Sequence, residues 1–198
     1  MSLDNQTTAA TTPLPDYSTR SGPSVSMFVP RRRRTLCLLS ASEPVQALAL
    51  GALGQHMAEH QLFPDLVILA GSEKVQKTWS HLEEALDLSP RLWMEPHFNS
   101  TSVEAQLDVL RSAPADAEQV LLIASAPAIA QLTGLLAKGY QGTRSRSARA
   151  ASTDFPRGVL AVVTLALPRW DGLAPKIGAM KAMIRPEDIV PNTERACA

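Results

Sequence analysis

Residues 35–44 read TLCLLSASEP: an apolar run, Leu36-Cys37-Leu38-Leu39, breaks at once into Ser40-Ala41-Ser42-Glu43-Pro44. Apolar residues without polar alternation suit a strand covered on both faces rather than one with a face in water. Small, hydroxyl-bearing residues directly after it suit a tight turn into a helix. Working outward, the figure returns. Leu66-Val67-Ile68-Leu69 runs into Ala70-Gly71-Ser72-Glu73-Lys74, and Val120-Leu121-Leu122-Ile123 runs into Ala124-Ser125-Ala126-Pro127. A fourth apolar run, longer and rich in valine, extends from Val159 to Leu167.

Between these runs the apolar period changes to that of a helix. Residues 45–60 repeat at Leu50, Leu53 and Met57, and residues 73–88 carry Val75, Trp79, Leu82 and Leu86 on one stripe. Residues 102–112 (Val103, Leu107, Leu110) and 128–137 (Ile129, Leu132, Leu135, Leu136) do the same. Strands alternating with helices predict an α/β fold, a three-layer α/β/α sandwich with a mostly parallel central sheet. In such sheets ligands sit beyond the carboxyl ends of the strands. The turns after Leu39, Leu69 and Ile123 are therefore where chemistry is expected.

The flanks differ in character. Residues 1–34 are rich in Thr, Ser and Pro, have little apolar periodicity and end in Arg31-Arg32-Arg33-Arg34, which reads as a disordered tail. The domain is expected over 35–190, with 191–198 a short C-terminal tail. Residues 138–157, rich in Gly, Ser and Arg, read as a mobile basic loop. The chain of 198 residues has zero formal net charge, which argues against a nucleic-acid binder driven by overall charge. That balance hides a net +3 in residues 1–34, a net +4 in residues 138–157 and −7 elsewhere. No apolar run approaches the roughly 18–20 residues of a membrane-spanning helix. Two cysteines, Cys37 and Cys197, make no disulfide framework, and no signal-peptide pattern opens the chain. A cytoplasmic protein is expected.

None of the three turns holds a histidine, cysteine or arginine. Their layout nevertheless resembles the histidine phosphatase superfamily, in particular the SixA-like phosphohistidine phosphatases, over about residues 35 to 190. TLCLLSASEP stands where that family has an apolar strand ending in Arg-His-Gly/Ala-Glu. HMAEHQLFPDLVILAGSEKVQKT is similar to its helix, Pro-Asp, strand and Ser-Pro, Arg, Gln-Thr pattern. VLLIASAPAIAQL falls on its strand ending in Gly-His-Asn-Pro, and FPRGVLAVVTL on its Phe-Pro-Thr-Gly-Ala segment and following strand. The resemblance implies a phosphoglycerate-mutase-like fold.

It also implies which chemical groups are replaced. The family's phosphate-binding arginine and nucleophilic histidine fall on Ser40 and Ala41, its second arginine on Lys74 and its second histidine on Ser125. Glu43 and Pro127 match the pattern. A methyl group at Ala41 cannot attack phosphorus. Lys74 keeps a positive charge but lacks the planar guanidinium fork. Phosphoryl transfer rests on positioning and on stabilising developing negative charge, and four replacements remove both. The loop after Glu43 is also shorter than in the family, which reduces one wall of the pocket. Arg157, in place of the family's threonine, is a candidate to restore positive charge there. The expectation is a pseudophosphatase with no catalytic residue and no cofactor, whose candidate anion-binding residues are Ser40, Lys74, Ser125 and Arg157. Its expected partner is a phosphorylated or acidic protein, met at the old pocket or through Arg31–Arg34 and residues 138–157. The alternative is a diverged phosphatase working through a nucleophile foreign to the family.

Other motifs are weaker. His56-Met57-Ala58-Glu59-His60 fits H-x-x-E-H, a zinc-peptidase pattern, but matches the family's first helix as well, and no metal is assigned. His81 and His97 stand alone. Ser40, Ser42, Ser72 and Ser125 have no partner histidine in the turns, and no G-x-S-x-G elbow is present, so serine hydrolysis is not expected. Trp79, Trp93 and Trp170 are expected to pack.

Overall fold

The computed structural model describes residues 33–41, 47–138 and 158–189. Strand β1 (Arg33–Ala41), helix α1 (Ala47–Glu59), β2 (Leu66–Ala70), α2 (Glu73–Leu86) and β3 (Arg91–Glu95) come first. A 3-10 turn (Phe98–Ser100), α3 (Val103–Arg111), β4 (Gln119–Ser125), α4 (Ala126–Leu136) and β5 (Ala137–Lys138) follow. The chain then forms β6 (Leu160–Ala166), a second 3-10 turn (Trp170–Gly172), β7 (Gly178–Ile184) and a short helix α5 (Pro186–Ile189). The seven strands make one sheet in the order β3-β2-β4-β1-β6-β7-β5. Pairings β1–β4, β2–β3, β2–β4 and β5–β7 are parallel; β6 runs antiparallel to both β1 and β7.

The unalternated runs are indeed central. Leu36, Leu38, Leu39, Val67, Ile68 and Val120 to Ile123 are buried from water, because β1, β2 and β4 have a strand on each side and helices over both faces. Removing one such leucine would cost about 2–5 kcal/mol through lost transfer energy and the cavity left behind.

The helices form where their periods predict. In α2, Val75, Trp79, Leu82 and Leu86 face the core. Ser72 caps its start by accepting from the Val75 amide at 3.4 Å, and Asp87 ends it in the left-handed conformation with φ 48°. Ser102 caps α3 in the same way through the Ala105 amide, at 3.3 Å. Pro127 sits in the first turn of α4, where its missing N–H costs nothing. Helix α1 packs on α2, and α3 on α4.

Two expectations need correction. The sheet has three strands beyond the four expected. β3 is an edge strand with exposed Arg91, Leu92 and Met94; β7 alternates along Gly178–Ile184, and β5 is two residues long. The arginine run is not wholly outside the fold either: β1 starts at Arg33, two residues before the expected Thr35. Arg34 is buried. It donates to the Ala115 and Pro168 carbonyls at 2.7 and 2.6 Å and to that of Ala117, with its guanidinium 5.6 Å from the centre of the Trp170 ring. Arg31, Arg32 and most of the basic stretch 138–157 lie outside the described residues.

Candidate functional site

The connection from β1 through α1 runs toward β2, and that from β4 through α4 runs toward β5, in opposite directions across the sheet. Right-handed crossovers of opposite direction put their helices on opposite faces. The chain therefore parts at the carboxyl ends of β1 and β4, and the crevice left there is the place where open α/β sheets hold ligands. β1 and β4 are in parallel register from Thr35↔Gln119 to Ala41↔Ser125. Ala41 and Ser125 therefore end neighbouring strands side by side.

The residues around this crevice divide by what their polar atoms already do. Ser40 is fully buried. Its hydroxyl accepts from the Val159 amide at 3.0 Å and lies 3.4 Å from the Val159 carbonyl. Its backbone amide donates to the same carbonyl at 3.1 Å, and its own carbonyl accepts from Gly158 at 3.1 Å. Ser40 is thus a strap between β1 and the start of β6. Gly158 holds φ 73°, in the left-handed region, so glycine suits the entry to β6.

Ser125 is half-buried at the N-cap of α4, and its side chain makes no capping bond. Its backbone amide donates to Asn99 Oδ1 at 3.0 Å. This bond fixes the Asn99 amide, since an oxygen must face the donor, and leaves its NH2 group as a donor beside the crevice. Nothing in the sequence singles out Asn99. It comes from the 3-10 turn after β3, in no motif, and only the fold brings it to Ser125. Lys74 lies in the first turn of α2 and is exposed, and its carbonyl accepts from Thr78 Oγ1 at 2.8 Å. The turn before it is tight: a Cβ on Gly71 would come within 2.4 Å of Pro96 Cα, so only glycine fits. Beside it, Glu73 accepts from Lys77 at 2.8 Å, which holds its carboxyl below the usual range. Glu43 and Arg157 fall outside the described residues.

Chemically, the crevice offers the amino ends of α2 and α4, a lysine, an asparagine amide and a serine hydroxyl. Those groups can hold an anion. Its described turns bring no nucleophile and base together: Ala41 carries a methyl group, and the histidines lie elsewhere. His81 and His97 are exposed, the former on α2 and the latter beyond β3. A separate cleft of about 530 Å³ opens at the amino ends of β2, β3 and β4, lined in part by Phe63, Asp65, Arg91 and Asp116. Its charges are engaged. Asp65 accepts from the Glu118 and Gln119 amides, both at 2.8 Å, and Arg91 pairs with Asp116 at 3.2 Å.

Among solved structures, the fold matches one described as a phosphohistidine phosphatase SixA from Nakamurella multipartitia, with TM-score 0.61 and 21% identity, covering 78% of this chain and 96% of that one. A protein histidine phosphatase SixA complexed with tungstate matches with TM-score 0.55 and 13% identity over 78% of this chain and 98% of that one. Phosphoglycerate mutase from Plasmodium falciparum matches with TM-score 0.53 and 10% identity over 81% of this chain and 95% of that one. No family model and no curated protein matches the sequence. The chain has the histidine-phosphatase, or phosphoglycerate-mutase-like, fold. Among the described residues no helix is long and apolar enough to cross a membrane.

Proposed function

We propose that this chain is a pseudophosphatase: a SixA-like domain that no longer transfers phosphoryl groups and acts by binding. The pairing of Ala41 with Ser125 at the mouth of the crevice carries the reading. These are the positions on which the resemblance puts the family's nucleophile and second histidine. A methyl group and a hydroxyl stand there instead, and neither can form a phosphohistidine. What remains suits retention of an anion. Lys74 supplies charge, Ser125 and Asn99 supply polar groups, and two helices end in amides. A SixA of this fold is known in complex with tungstate, a tetrahedral oxyanion like phosphate, which supports an oxyanion as the class of ligand. The ligand class is a phosphorylated or acidic protein, with Arg157 and the basic segments as further contacts. The reducing cytoplasm suits the two cysteines.

The test is phosphate release from a phosphohistidine peptide, beside titration of the parent and its Lys74→Ala variant with inorganic phosphate followed by NMR. The reading expects no release above a heat-denatured control, and saturable phosphate binding weakened at least tenfold in Lys74→Ala. Robust release abolished by Lys74→Ala would replace it with a diverged phosphatase. Failure of the parent to bind phosphate would leave the crevice vestigial.

A further inference from the structure

Helix α1 ends in His56-Met57-Ala58-Glu59-His60, at the amino-end side of the sheet and so away from the crevice. Its last turn is rigid. Met57 is fully buried, and Gln61 takes the left-handed conformation with φ 56°. The amide of Leu62 then reaches back to the Met57 carbonyl at 2.8 Å and that of Gln61 to the Ala58 carbonyl at 3.1 Å, which closes the helix in a Schellman motif.

On that fixed turn, His56 and His60 stand four residues apart with ring centroids 4.1 Å from each other. One donor atom each from His56, Glu59 and His60 lie within 4.8 Å of one another. Ligands of a tetrahedral zinc are about 3.4 Å apart, given bonds of about 2.1 Å. Glu59 and His60 are exposed, so small rotations about their χ angles close the difference. His60 Nδ1 lies 2.9 Å from the His56 carbonyl. A carbonyl can only accept, so Nδ1 donates to it, and in the neutral tautomer Nε2 is the ring nitrogen left for a metal. Metal-binding histidines are commonly oriented by such a bond. The helix C-terminus also carries a partial negative charge that favours a cation.

We propose that His56, Glu59 and His60 form a binding site for one divalent transition-metal ion of the zinc class, held by two imidazoles and one carboxylate with the remaining positions open to water. Imidazole donors suit zinc, which also takes Asp and Glu oxygens as ligands. Glu59 is here a ligand and not a general base, so the site holds metal without implying peptidase chemistry.

The full chain, stripped with a chelator, is titrated with zinc alone by calorimetry. One equivalent binds, and affinity falls at least tenfold in both His60→Ala and Glu59→Gln. Both residues are exposed, and circular dichroism checks that both variants stay folded. His97→Ala, at the other end of the sheet, keeps the parent affinity. Absence of one-equivalent binding, parent affinity in either of the first two variants, or an equal loss in His97→Ala overturns the site.

Discussion

Ala41 and Ser125 are register partners at the carboxyl ends of two neighbouring parallel strands. Restoring chemistry to this pair is the sharpest way to separate lost catalysis from a lost fold. Loss of a single charge-stabilising donor costs an enzyme about 10²–10³ in rate, and here the resemblance counts four replacements. A variant carrying Ala41→His, Lys74→Arg and Ser125→His is expected to release phosphate from phosphohistidine above the parent. Ser40→Arg is left out of it, because Ser40 is buried against Val159 and an arginine there would disrupt the β1–β6 junction. No gain in a folded variant counts against the assignment of these positions.

Ser40 itself supports the fold. Ser40→Ala would leave the buried Val159 amide without the hydroxyl that accepts from it at 3.0 Å. An orphaned buried donor costs about 1–3 kcal/mol. The melting temperature should fall, while phosphate binding by the folded protein stays as in the parent. Weakened phosphate binding with an unchanged melting temperature would return Ser40 to the ligand site.

The fold was legible because its central strands advertise themselves. Leu66–Leu69 and Val120–Ile123 are apolar without interruption, and the helices between them keep their period. β3 hid behind Arg91 and Glu95, since an edge strand needs few buried residues, and β7 alternates with Lys181 in its middle. The turns of the candidate site stand out in the sequence, but what their polar groups bond to does not. Ser40 and Ser125 read alike in sequence, yet the antiparallel ladder to β6 buries one while the N-cap of α4 leaves the other half-open. No spacing rule links Asn99 to Ser125, because the bond joins two turns at the carboxyl edge of the sheet.

Arg34 shows the same limit, and a prediction follows from it. Its guanidinium serves the carbonyls of Ala115, Ala117 and Pro168 and lies over Trp170, whose Nε1 also donates to Ala117 at 2.7 Å. Hydrogen bonds from charged groups are worth about 1.5–3 kcal/mol each, with some recovered by water after truncation. Arg34→Ala should therefore destabilise the domain by about 3 kcal/mol in urea unfolding. Arg33→Ala, at an exposed position, should change it by no more than about 0.5 kcal/mol. Equal effects would mean that the arginine run acts by charge alone. Arg34→Lys keeps the charge without the planar fork, so it should recover less than half the loss.

Burial of Cys37 in the middle of β1 pushes its thiol from 9.0 up to about 12. In a Cys197→Ser variant, where Cys37 is the remaining thiol, a thiol reagent at pH 8 should give no reaction in native buffer and a full equivalent in denaturant. With a pKa near 12, only about one thiol in ten thousand is ionised at that pH, and the thiolate is the nucleophile. The same shift fixes a sign. Above pH 9 the unfolded chain gives up this proton while the folded chain keeps it, so the unfolded state binds fewer protons and stability falls as pH rises. The slope approaches about 1.4 kcal/mol per pH unit until the folded thiol titrates. Urea unfolding between pH 9 and 10.5 reads that slope, and Cys37→Ala should flatten it by this amount after its constant packing cost is subtracted. Parallel slopes for the two proteins would show that Cys37 is not held protonated by the core.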